Sequence, residues 1–161
     1  MKKEQKTNAM RILDKNKITY KVLHYDIAEE EFSGVNVAKV LGINPDMCYK
    51  TLCLKSTSNV YYIFCIDVAS ELDLKKCARA VGEKKLELVS TKQLKDIVGY
   101  ERGSVSPIGT KKAFKVIIDE KAKNFEEIKI SAGAKGCSLV AQLSDIVKVT
   151  RAEFYDIAFS S

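Results

Sequence analysis

The chain is 161 residues long, enough for one domain with a core of its own, and 46% of its residues are apolar against 30% charged. That composition excludes a disordered chain, and no apolar run approaches the roughly 20 residues that a membrane-spanning helix needs. Lys and Arg number 27 against 21 Asp and Glu, a formal net charge of +6 that suits contact with a polyanion and equally fits a solvated lysine-rich surface.

Taken in chain order, the basic start MKKEQKTNAMRIL has no apolar core after it and does not read as a signal peptide, so a soluble, cytoplasmic protein is expected. Met10, Ile12 and Leu13 predict a short helix over Asn8 to Asn16, and the β-branched and aromatic run Ile18 to Tyr25 predicts a strand. Ser33 is placed to cap a helix through Val37, Val40 and Leu41 that Gly42 ends. Two apolar runs, Cys48 to Lys55 and Val60 to Asp67, flank the polar Ser56-Thr57-Ser58-Asn59 and read as a hairpin. Asp73 is a good cap for a helix from Leu74 to Gly82, and a short strand is expected over Leu86 to Val89. Ser90 and Gln93 form a capping-box pattern before a helix through Leu94 and Ile97 that closes at Gly99. The stretch Gly99 to Lys112, GYERGSVSPIGTKK, has no period and reads as a long loop. Strands are expected at Phe114 to Ile118 and Glu127 to Ser131. A small-residue loop over Ser131 to Gly136, a helix around Ser144 to Val147 and a tail from Glu153 follow.

Many strands interleaved with short helices, without a regular βαβ repeat, predict a mixed α/β fold for residues 1–161 as one domain, with one curved sheet and helices outside it. Neither GxGxxG nor a P-loop occurs, so no nucleotide cofactor is expected. The five cysteines include no CxxC pair, and the one histidine, His24, cannot build a multi-histidine centre. Buried reduced thiols are the expectation, with no metal and no other cofactor. A Cys–His catalytic pair would have to recruit His24 and is not favoured.

Strand alternation puts Cys48, Lys50, Leu52 and Leu54 on one face, so Lys50 is a cation among apolar neighbours. Such a lysine is paired, reaches solvent at a strand end, or serves a ligand. Thr51 falls on the opposite face unless a bulge intervenes. Glycines let a backbone approach a ligand and present its N–H groups, so the segments around Gly103 and Gly109 and over Ser131 to Gly136 could converge on one pocket; tight turns are the plain alternative. Lys111 and Lys112 suit phosphates or simple solvation. Tyr25 and Phe32 flank the acidic turn Asp26 to Glu31 and would wall a small pocket, stack on a base, or fill core.

The stretches LDKNKITYKVLHY (13–25), VAKVLGINPDMCYKTL (37–52), ELDLKKCARAVGEKK (71–85), GYERGSVSPIGTKK (99–112), Phe114 to Asp119 and ISAGAKG (130–136) resemble the YbaK/EbsC-type aminoacyl-tRNA deacylases. That family is related to the insertion editing domain of bacterial prolyl-tRNA synthetase. The resemblance implies a mixed α/β domain with a curved, partly barrel-like sheet, and a trans-editing activity that removes cysteine from Cys-tRNA(Pro), with Cys-tRNA(Cys) as a further substrate. It puts the pocket lysine on Lys50 with Thr51 beside it, the aromatic wall on Tyr25 and Phe32, the backbone loop on Gly103 and Ser104, and the second loop's serine on Ser131. The family pattern GGISP meets Gly103-Ser104-Val105-Ser106-Pro107 here, and an expected aspartate is replaced by Ser138. In the branch resembled, the substrate's own thiol attacks its ester and leaves a thiolactone, whereas related members hydrolyse Ala-tRNA(Pro) with water. On this reading Lys50, Gly103 and Ser131 serve the reaction at the tRNA 3′ end. Tyr25, Phe32, Thr51, Ser104, Ser138, Lys111 and Lys112 bind substrate. Prolyl-tRNA synthetase is a candidate partner, the membrane is not, and a monomer is expected. The rival readings are a non-catalytic tRNA- or synthetase-binding module and a small-molecule binder.

Overall fold

The computed structural model describes residues 6–159, the Glu29 side chain excepted; the basic start at residues 1–5 therefore lies outside the described residues. Thr7 accepts a hydrogen bond from the Met10 N–H and opens helix α1 (Asn8–Lys15), which buries Ala9, Met10 and Leu13. Strand β1 (Tyr20–His24) follows, then α2 (Gly34–Leu41), whose first turn is capped by Ser33 through the Asn36 N–H. The predicted hairpin is present as β2 (Tyr49–Ser56) and β3 (Tyr61–Asp67). Asp73 accepts from the Lys75 and Lys76 N–H groups at the head of α3 (Leu74–Val81), and β4 (Leu86–Leu88) and α4 (Thr91–Val98) come next. Ser90 does sit at the cap position of α4, but its hydroxyl makes no capping bond; the Gln93 N–H reaches the Ser90 carbonyl instead. After the long loop come β5 (Lys115–Asp119), β6 (Glu127–Ala134), β7 (Cys137–Gln142), α5 (Leu143–Thr150) and β8 (Glu153–Tyr155).

The fold is mixed α/β, as expected, but the strands form two sheets rather than one. The larger has the order β4-β2-β3-β5-β8 and the smaller β1-β7-β6. An isolated bridge between Cys48 and Lys129 joins them where β2 approaches β6, and the strands do not close into a barrel. In the larger sheet β3 and β5 run parallel and are buried on both faces, so Phe64 and Ile117 can serve one core while Ile63, Cys65, Val116 and Ile118 serve the other. The main core lies between the two sheets and under α1, and the smaller one lies under α3.

Strand β7 was not predicted. Its residues Cys137 to Ala141 are buried without interruption, so the segment shows no polar alternation to mark it as a strand. The expected loop over Ser131 to Gly136 is also mostly strand: β6 continues to Ala134, with an irregularity in its pairing between Ser131 and Ala134. The C-terminal segment is held from inside. Asp119, fully buried, accepts from the Ile157 N–H (3.1 Å) and the Lys121 N–H (3.2 Å), while Lys76 Nζ donates to the Ala158 carbonyl (2.8 Å).

Candidate functional site

Register in the smaller sheet decides where the site lies. In β6, Ile128 and Ile130 enter the main core, so Lys129 and Ser131 face the other way. In β7, Leu139 and Ala141 enter the same core and leave Ser138 on the outer face, paired directly with Ser131. That outer face, the start of β2, the N-terminus of α2 and the loop at Gly103 border a cavity of about 610 Å³.

Most of the expected residues meet there. Lys50 and Thr51 both border the cavity, and β2 pairs with β3 without a bulge from Tyr49 to Lys55, so the two side chains do start on opposite faces. Lys50 is half-buried, and no hydrogen bond or ion pair joins it to another described residue. Thr51 is buried, its Oγ1 3.6 Å from the Cys65 Sγ. Tyr25 and Phe32 form one wall as a stacked pair with ring centroids 6.4 Å apart, and burial pushes the Tyr25 phenol up. Gly103, Ser131 and Ser138 complete the set.

The two glycine-bearing segments converge through specific contacts. Ser131 Oγ donates to the Ser104 carbonyl (2.8 Å) and accepts from the Gly133 N–H (3.1 Å), which ties one segment to the other. Gly103 has φ +85, and a Cβ there would lie 3.0 Å from Phe32 Cε1, so a side chain would meet both backbone strain and the aromatic wall. The Ser104 N–H is taken by the Glu101 carbonyl, whereas the exposed Gly103 N–H has no acceptor among the described residues. Gly109 does not reach the cavity; its carbonyl accepts from Asn8 Nδ2 on α1. Ser104 is buried beside it with its hydroxyl on the Glu101 carbonyl, and Lys111 and Lys112 lie on the surface away from it, Lys111 Nζ on the Asp96 carbonyl.

Sequence reading missed the least exposed cation of the site. Lys129 is 5% exposed, borders the cavity, and donates from Nζ to Ser138 Oγ at 3.2 Å. Burial holds its pKa below the ordinary lysine value, opposed by the nearby Cys48 thiol. Alternation along Lys129-Ile130-Ser131 was enough to place it beside Ser131. Arg102 and Lys135 also border the cavity and are exposed. With Lys50, they make a cationic lining that, among the described residues, includes no carboxylate.

The arrangement offers cations for phosphates, aromatic faces for a base, and a free backbone N–H for a carbonyl oxygen. A protein thiol as nucleophile fits poorly. All five cysteines are buried, and burial raises Cys53 to about 11 and Cys65 and Cys77 to about 12. His24 does not border the cavity. Among the described residues no group of three or more His, Cys, Asp or Glu is placed to hold a metal ion, and no helix is long and apolar enough to cross a membrane.

Residues 29–149 match the family model of the aminoacyl-tRNA editing domain, and the chain belongs to that family. It is 37% identical over 156 residues, 97% of this chain and 95% of the relative, to EbsC of Enterococcus faecalis, which is provisionally named a Cys-tRNA(Pro)/Cys-tRNA(Cys) deacylase. A crystal structure provisionally described as a trans-editing enzyme for prolyl tRNA synthetase has a TM-score of 0.82 at 20% identity, covering 98% of this chain and 100% of that one. A solved hypothetical protein reaches 0.85 at 16% identity, covering 95% and 100%. These two likenesses concern the fold, which they share over nearly its full extent.

Proposed function

We propose that this protein is a trans-editing deacylase that removes cysteine from mischarged Cys-tRNA(Pro). The observation that carries the reading is the cavity: cations and stacked aromatics around a free backbone N–H, with no carboxylate among the described residues that line it. The name of its relative from Enterococcus faecalis supports cysteine as the amino acid. Lys50, without a partner among the described residues, holds the phosphate or ribose of the terminal adenosine, while Tyr25 and Phe32 face its base or the aminoacyl group. The Gly103 N–H meets the ester carbonyl oxygen, where negative charge develops. Ser131 works through the backbone, fixing the Gly103 loop by its bond to the Ser104 carbonyl. Lys111 and Lys112, outside the cavity, meet phosphates further along the acceptor stem.

An aminoacyl ester is already activated, so positioning and charge stabilisation supply the acceleration and no protein nucleophile is needed. The substrate thiol attacks its own ester carbonyl; the tRNA leaves with a free terminal hydroxyl, and the cysteine leaves as a thiolactone.

Incubation of the pure protein with Cys-, Ala- and Ser-charged tRNA(Pro) tests the reading. The Cys ester should be lost fastest, and Lys50→Ala should slow that loss by about 100-fold with folding intact. Unchanged half-lives for all three esters would leave a tRNA-binding module without catalysis. Preferential loss of the Ala ester would instead assign water-based hydrolysis.

A further inference from the structure

We infer that Lys129, seated on Ser138 inside the cavity, is the base that takes the proton from the side-chain thiol of the bound cysteinyl ester. The inference rests on the cysteine-editing reading above and assigns the proton transfer that it leaves open. An ammonium carries three N–H donors, yet the described residues offer Lys129 only the Ser138 hydroxyl. Among the described residues nothing anionic compensates it: the titratable groups bordering the cavity with it are Lys50, Arg102, Lys135, Tyr25 and Tyr49, and the Cys48 thiol lies behind it. Burial without a counter-ion favours the neutral amine, which has a lone pair and can accept a proton.

Exposure separates the roles of the cations. Arg102 and Lys135 are exposed and Lys50 is half-buried, so phosphates can reach these three while keeping much of their water. Lys129, at 5% exposure, is open only to the small end of the substrate that enters the cavity. The residue at 138 completes the argument. A carboxylate there would pair with Lys129 and hold it as ammonium, whereas a serine hydroxyl orients the amine without charging it.

The step balances without an added reactant. The Lys129 amine accepts the S–H proton, and the thiolate sulfur forms a bond to the ester carbonyl carbon. The bond from that carbon to the terminal ribose oxygen breaks. The ribose oxygen then takes the proton from the Lys129 ammonium, giving a thiolactone, free tRNA and the amine restored.

Single-turnover loss of cysteine from Cys-tRNA(Pro), measured from pH 5.5 to 9 and corrected for the protein-free rate, tests this. Binding of uncharged tRNA and thermal unfolding are followed in parallel. The unsubstituted protein should become faster as pH rises toward the Lys129 pKa, which burial holds below 10.5. Lys129→Gln should lose about 100-fold or more in rate and that pH dependence with it, while tRNA affinity changes by less than about threefold. Ser138→Asp should keep the fold but move the rise to higher pH by about one unit or more, because the new carboxylate stabilises the ammonium. A smaller rate loss for Lys129→Gln, or an unmoved profile for Ser138→Asp, overturns the inference and leaves the editing reading standing. An unsubstituted protein that leaves the Cys ester intact overturns both.

Discussion

At the residue scale, Lys129 carries a measurable signature in stability as well as in catalysis. Its pKa is lower in the folded chain than the ordinary 10.5, so between the folded and unfolded values the unfolded chain binds more protons. Stability therefore rises with pH through that window, and the penalty for burying the charge is fully present below it. Lys129→Met should raise the melting temperature at pH 7, with the gain shrinking as pH approaches 10.5; a lowered melting temperature at pH 7 would show that the amine is a structural element. The cysteines give the opposite kind of prediction. With Cys53, Cys65 and Cys77 buried and pushed to about 11 or 12, iodoacetamide at pH 7 should label the native protein far more slowly than the urea-unfolded chain and leave its activity intact.

At the scale of the element, the two loops that shape the cavity depend on one aromatic ring. Tyr100 Oη donates to the buried Ile108 carbonyl at 2.7 Å, and a Cβ at Gly133 would lie 2.7 Å from Tyr100 Cε1. Tyr100→Phe should cost about 1–3 kcal/mol in urea unfolding, because it orphans a buried carbonyl. Gly133 also has φ +96, where an L side chain costs about 1–2 kcal/mol before any clash. Gly133→Ala should therefore destabilise more than Tyr100→Phe and slow deacylation as well, since β6 carries Lys129 and Ser131 beside it. Activity equal to the unsubstituted protein would mean that the loops hold their places without this contact.

For the whole molecule, two properties follow from how distant segments are joined. The larger sheet ends on β8, and the C-terminal segment after it is tied to the interior by Asp119. Asp119→Ala should cost about 1–3 kcal/mol for the stranded Ile157 N–H and accelerate hydrogen exchange over residues 153–159 before the rest of the sheet. The cationic lining predicts salt dependence. If Lys50, Arg102 and Lys135 each meet one phosphate of a single-stranded 3′ end, these three contacts alone should lower affinity for tRNA roughly 20-fold between about 50 and about 200 mM salt, and Lys111 and Lys112 on the acceptor stem add to the fall. A flat response would remove the phosphate role from these side chains.

What the amino-acid order determined by itself was local. Caps at Ser33 and Asp73, the β2–β3 hairpin and the alternation that sets Lys50 among apolar neighbours all depend on contacts a few residues apart, and the structure contains each of them. The distinctive YKTL and SPIGTKK segments also carried the family resemblance across to a full-length match. Ser90 shows where local pattern stops, since its capping hydroxyl is unused although its spacing to Gln93 is right. Tertiary structure decided the rest, because the cavity is made by pairings between residues far apart in sequence. Strand β7 has no alternation to reveal it, yet its register against β6 puts Ser138 opposite Ser131 and beside Lys129. The burial that lowers the Lys129 pKa below that of a surface lysine comes from the packing of two sheets, and no single strand of the sequence contains it.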